Sequence, residues 1–215
     1  MPGGMKLKGP ERRAAAARAM LLALLSGGAW PGAAALAQEP AYAPDEVKAA
    51  FLYHFGAFVE WPPGAEPEDA ITIAVLGDRD VAAELETMLP GRTVHKRPVQ
   101  VREIRSIDEL GDAQILFIGA EVTGDLSRLL DAVRNRPVLT VTESNGALDR
   151  GSVINFALVD QRVRFEISLP AARLAGLELS SRLLGIALRV EQSSGLHHPP
   201  GAQLAALRAG VRASS

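Results

Sequence analysis

The chain has 215 residues, 22% of them charged, with 25 acidic against 23 basic side chains and a formal net charge of −2. That near-balance, with no basic run beyond the first twenty residues, excludes an electrostatic nucleic-acid binder. The absence of cysteine excludes disulfides and thiol switches.

Lys6, Lys8, Arg12, Arg13 and Arg18 make a basic start, opposed only by Glu11. A short apolar core, Ala19–Leu25, follows, and then small residues ending Ala35-Leu36-Ala37. Positive start, short apolar core and an A-x-A site describe a secretory signal peptide, so cleavage after Ala37 and export are expected. The apolar core falls well short of the roughly 20 residues of a spanning helix. Removing residues 1–37 takes away five positive charges and one negative, moving the formal charge from −2 to −6.

The next segment, Val47–Pro62, holds Phe51, Tyr53, Phe55, Phe58 and Trp61, half of the aromatic residues of the chain. Pro44-Asp45-Glu46 is a helix entry, with acidic groups at the positive end of the helix dipole. Val47, Phe51, Phe55 and Phe58 then recur at helical spacing, and Pro62-Pro63 closes the helix. The three Phe residues are expected to seat this helix on the body of the domain. Leu52, Tyr53, Val59 and Trp61 fall off the stripe, so they are expected to be partly exposed. Tyr53 and Trp61 are therefore the candidates for partner contact, because exposed Tyr and Trp bring large area at little rotamer cost.

Further along, Ile71–Leu76 reads as a buried strand, Val81–Leu89 as a helix ended by Pro90-Gly91, and Val99–Ile104 as a strand. Ile107–Leu110 is one helical turn, Ile115–Ile118 a continuous apolar strand, Asp125–Arg134 a helix and Pro137–Val141 a strand. Val153–Val159 and Val163–Leu169 predict a β-hairpin turning through Asp160-Gln161-Arg162. A final helix is expected from about Leu179 to Glu191, capped by Ser180, with Leu183, Leu184, Ala187 and Leu188 as its stripe. The expected organisation is a signal peptide over 1–37, one domain over 38–191 and a flexible tail over 192–215. The fold class is α/β: a central, mostly parallel sheet flanked by helices, with an antiparallel hairpin near the C-terminal edge.

Loops after strands form the binding crevice of such sheets. Gly77 after the first strand, Gly119 after Ile118 and Thr142 after Val141 are the candidate pocket loops. A lone glycine without G-x-G-x-x-G favours an ordinary strand-to-helix turn over a phosphate site. His54, within the aromatic helix, reads as a packed or capping side chain rather than a base. His197-His198 lie in a Pro/Gly-rich stretch without metal-ligand spacing. Ser144 and Ser152 have no G-x-S-x-G context. The sequence thus offers no catalytic residue, no metal site and no cofactor site.

Several segments, in order, carry a resemblance. They are FLYHF at Phe51–Phe55 with FVEWP at Phe58–Pro62, IAVLG at Ile73–Gly77, ILFI at Ile115–Ile118 and PVLTV at Pro137–Val141. They continue with Gly151, INF at Ile154–Phe156, VRFEI at Val163–Ile167, and Gly176-Leu177 through SSRLL at Ser180–Leu184. The chain resembles the YfiR/HmsC-like family of bacterial periplasmic proteins, over nearly all of Val47–Val190. The resemblance implies a non-enzymatic periplasmic regulator with an α/β fold that forms homodimers. It also implies a repressor that binds the periplasmic domain of an inner-membrane diguanylate cyclase and lowers cyclic di-GMP and biofilm formation. An outer-membrane lipoprotein is the implied antagonist. Some relatives carry cysteine pairs; this chain has none, so redox sensing does not carry over. An alternative from another class is a periplasmic small-molecule sensing module feeding a membrane kinase or transporter, served by the loops at Gly77, Gly119 and Thr142.

Overall fold

The computed structural model describes residues 43–193. The expected signal peptide and most of the expected tail lie outside them. Helix α1 (Pro44–Phe58) leads into a short extended strand, β1 (Val59–Glu60), followed by β2 (Ile71–Leu76), α2 (Arg79–Met88), β3 (Thr93–Val94) and β4 (Arg97–Ile104). A 3-10 turn (Ile107–Glu109) precedes β5 (Ile115–Ile118), and a second 3-10 segment (Ala120–Asp125) precedes α3 (Leu126–Val133). Then come β6 (Leu139–Thr142), β7 (Ile154–Val159), β8 (Arg162–Ser168), α4 (Leu169–Leu174), β9 (Glu178–Leu179), α5 (Ser181–Ile186) and β10 (Arg189–Glu191). No helix among the described residues is long and apolar enough to cross a membrane.

Eight strands form one sheet in the order β10-β8-β7-β6-β5-β2-β4-β3, while β1 and β9 make a separate two-stranded ribbon. β4, β2, β5, β6 and β7 run parallel, and β8 turns back antiparallel to β7. The α/β fold with a mostly parallel sheet and a hairpin toward one edge is therefore as the sequence implies. The hairpin turns through two residues, Asp160 and Gln161, at φ 49° and 59°. Positive φ at both central positions is the geometry whose twist matches that of the flanking strands.

β2 alternates between two cores. Ile71, Ile73 and Val75 join the aromatic cluster under α1 and α2, whereas Ala74 and Leu76 join an aliphatic cluster under α3. Burial on both faces explains why ITIAVL and ILFI read as continuous apolar runs. In β8, by contrast, Phe165 and Ile167 are buried while Arg162 and Arg164 are exposed.

Three expectations need correction. First, α1 stops at Phe58, short of the prolines, because Val59 turns extended (φ −115°, ψ 134°) and pairs with Leu179 across the β1–β9 ribbon. Second, the expected helix Leu179–Glu191 is only α5, after which the chain becomes strand β10 alongside β8. The Leu188 N–H donates to the Phe165 carbonyl at 2.8 Å, and Arg189 forks onto the Glu166 carboxylate at 3.1 and 3.3 Å. Pairing at a free sheet edge here outweighs helical spacing. Third, Leu169, expected as the last residue of the second hairpin strand, instead opens α4, whose N-cap Ser168 accepts from the Ala171 N–H.

Candidate functional site

The chain leaves β2 through α2 to β4 on one side, then crosses back to β5 on the other. The carboxyl ends of β2 and β5 therefore flank the topological switch point, where open α/β sheets receive ligands. Two of the expected pocket glycines stand there, packed on each other. A Cβ on Gly119 would lie 2.4 Å from the Gly77 carbonyl oxygen, and the Gly119 N–H donates to Leu76 O at 2.9 Å. Gly77 has φ +74°, and a Cβ on it would lie 1.9 Å from Val122 Cγ2. Both glycines serve close approach of one loop to the next.

Beside this contact lies an open depression of about 720 Å³, with Asp45, Asp78, Glu103, Arg105, Glu121 and Glu143 among its lining residues. At its inner margin stands Lys48, one turn into α1 and only 14% exposed at its side chain. Its Nζ lies 2.6 Å from Glu143 Oε2, 2.9 Å from Asp45 Oδ1 and 3.7 Å from Asp78 Oδ2. Burial by itself lowers the Lys48 pKa. The hydrogen bonds and charges of Asp45 and Glu143 outweigh it, and the ammonium is pushed up to about 12. Two of the three carboxylates around Lys48 have a second task. Asp78 caps α2 by accepting from the Val81 N–H at 3.0 Å, and Glu143 Oε1 accepts the Ala120 N–H at 2.9 Å. One ammonium thus ties α1 to the loops after β2 and β6 and, through Glu143, to the loop after β5.

Thr142 does not line the depression. It is fully buried, with Oγ1 2.9 Å from Asn155 Oδ1 and 3.0 Å from Ser152 Oγ. Asn155 Oδ1 also accepts the Ser144 N–H at 3.0 Å, and Thr140 Oγ1 accepts the Val153 N–H. These bonds fasten β6 to β7 and hold the loop that presents Glu143. Buried hydroxyls and amides that are fully paired in this way make a rigid frame.

The aromatic candidates separate. Tyr53 is half-buried; its hydroxyl donates to the Thr93 carbonyl at 3.1 Å and Arg92 lies over its ring at 5.5 Å. Trp61 is buried, at 8% exposure, and its Nε1 has no hydrogen-bond partner among the described residues. Leu52 and Val59 are buried as well. The expected outward tilt of these positions is wrong for a physical reason. α1 is covered on two sides, by the sheet and by α2, which encloses Leu52. Val59 and Trp61 lie beyond α1, where the chain runs extended, and both join the same buried cluster. Of the three stripe Phe residues only Phe55 is fully buried; Phe51 and Phe58 pack against the cluster from its margin.

Sequence reasoning passed over Lys48, although a signal was available. Lys48 sits three and seven residues before Phe51 and Phe55, on the buried stripe itself. A cation there requires carboxylates from neighbouring segments.

Residues 45–188 match the YfiR/HmsC-like family. The chain belongs to that family. YfiR/HmsC-like proteins are periplasmic regulators of cyclic di-GMP signalling. No curated protein matches the chain. Among solved structures, a conserved domain protein from Vibrio cholerae O1 biovar El Tor is similar at 10% identity and a TM-score of 0.47. That similarity covers 69% of this chain and 60% of the other. The ABC domain from Streptococcus pneumonia in complex with L-Trp is similar at 11% identity and a TM-score of 0.46, over 68% and 60% of the two chains. This YfiR/HmsC-like chain thus spans about 60% of the length of each.

Proposed function

We propose that the chain is a non-enzymatic periplasmic repressor, exported by cleavage after Ala37. It binds the periplasmic domain of an inner-membrane diguanylate cyclase, lowers cyclic di-GMP and restrains biofilm formation. The family match over residues 45–188 carries this reading, since it spans nearly the whole described domain. Leu158, Leu174, Ile186 and Leu188 are large apolar side chains left exposed and so available to a partner. Tyr53, half-buried, remains a contact candidate; Trp61 is enclosed in the buried cluster. The active unit in this reading is a homodimer, relieved by an outer-membrane lipoprotein.

Repression by binding means preferring the inactive conformer of the cyclase. Moving it from almost wholly active to almost wholly inactive needs a preference of about 5.5 kcal/mol. Buried apolar contacts are the main source of such an amount, while rim charges chiefly change the encounter rate. Deleting the gene should raise cyclic di-GMP and biofilm mass, and re-expression should reverse both. Unchanged nucleotide and biofilm on deletion would reject the repressor.

A further inference from the structure

The cluster around Lys48 has one ammonium and three carboxylates, which leaves two negative charges in excess in a half-enclosed place. Enclosed ion pairs are poor stabilisers compared with apolar packing, yet removing one partner leaves the others uncompensated. Three like charges held together by one cation stay together only while that cation is present. Here the cation belongs to α1, and the carboxylates belong to α1 itself, to the α2 cap and to the loop after β6. The cluster also lies beside the switch point, where other sheets of this kind admit a ligand, and Asp45 of the first turn of α1 lines the open depression there.

We propose that Lys48 is a latch. Its ammonium acts as a tethered counter-ion that holds the first turns of α1 against the acidic loops at the margin of the crevice. When it leaves the carboxylates, those turns lift and the acidic loops come apart. This contact fixes the axial position of α1, and with it the seating of Phe51 and Phe55 on Phe156 and Phe165. It stands independently of which partner the protein represses.

Hydrogen exchange on the full chain tests it. In Lys48→Ala, the amides of residues 48–54 should exchange at least tenfold faster than in the wild type, while those of β2 and β5 keep their protection. n-Propylammonium chloride at tens of millimolar should restore protection in Lys48→Ala and leave the wild type unchanged. Tetramethylammonium, which has no N–H donor, should do neither. Glu143→Gln keeps an acceptor for the Ala120 N–H but loses the charge. It should loosen the same α1 amides, without recovery by propylammonium. Wild-type exchange in both variants, or equal recovery by the two salts, would overturn the latch. Should Lys48→Ala not fold, exchange in Glu143→Gln alone decides, since wild-type protection there is incompatible with the latch.

Discussion

The two faces of the sheet are built differently. One is covered by α1, α2, α4 and α5 and holds the buried rings of Phe55, Phe156 and Phe165, with Phe51 packed on them from the margin and ring centroids 5.2–6.1 Å apart. The other is covered by α3 and is aliphatic, with Leu76, Leu116, Ile118, Leu126 and Leu130. The aromatic face reaches from β2 across to β8, whereas the α3 cluster draws on β2, β4 and β5 and stops short of the hairpin. The aromatic face therefore joins the central strands to the edge ribbon, and the α3 face closes the centre only. Large rings suit the wider task, because each can touch several elements at once.

The largest expected effect follows from that contrast. Phe55→Ala should cost about 3–5 kcal/mol, because it opens a cavity at the meeting of α1, β7 and β8. Leu130→Ala, under α3, should cost about 2–3 kcal/mol, since a single covering helix can settle into the space. Urea denaturation of both variants measures this. Equal losses, or a larger one for Leu130→Ala, would show that the faces share the load evenly.

A smaller effect is expected where the loops of the two halves meet. Gly77→Ala combines a left-handed φ with a clash against Val122 and should cost about 1–3 kcal/mol. Adding Val122→Ala should recover the part owed to the clash and leave the conformational part. Full recovery in the double variant would make φ irrelevant; no recovery would make the contact with Val122 irrelevant. Thermal unfolding of the two single variants and the double separates these outcomes.

The same contrast explains how much the sequence discloses. Strands buried on both faces, β2 and β5, announce themselves as unbroken apolar runs, and β2 starts and stops where ITIAVL does. β8, covered on one side, announces itself by alternation. β10 carries no such pattern: Arg189, Val190 and Glu191 become strand because β8 offers an open edge, a property of the assembled sheet. The site behaves similarly. Gly77 and Gly119 are visible as strand-end glycines, but their mutual contact depends on the crossover between β4 and β5. Thr142 looks like a loop residue, yet β7 starts alongside its end and encloses it. Lys48 was legible only as an anomaly on an apolar stripe, since its partners lie 30 and 95 residues away in sequence.

The smallest expected effect concerns the latch at the upper end of the pH scale. The Lys48 pKa is raised from 10.5 to about 12, so its folded state holds the proton more tightly than the unfolded chain. The resulting stability is fully present below pH 10.5 and is lost as pH rises through about 12. The groups facing the ammonium are the carboxylates of Asp45 on α1, Asp78 at the α2 cap and Glu143 after β6. With solvent screening at the open side, the contribution is on the order of 1 kcal/mol. Lys48→Met keeps most of the apolar stem and removes the titration. The two proteins differ only at this position, so the difference between them isolates Lys48. The gap in unfolding free energy between wild type and Lys48→Met should stay constant up to about pH 10 and narrow toward pH 12. A gap that stays flat across this interval would mean that Lys48 contributes packing alone, and α1 would then rest on its aromatic face without electrostatic help.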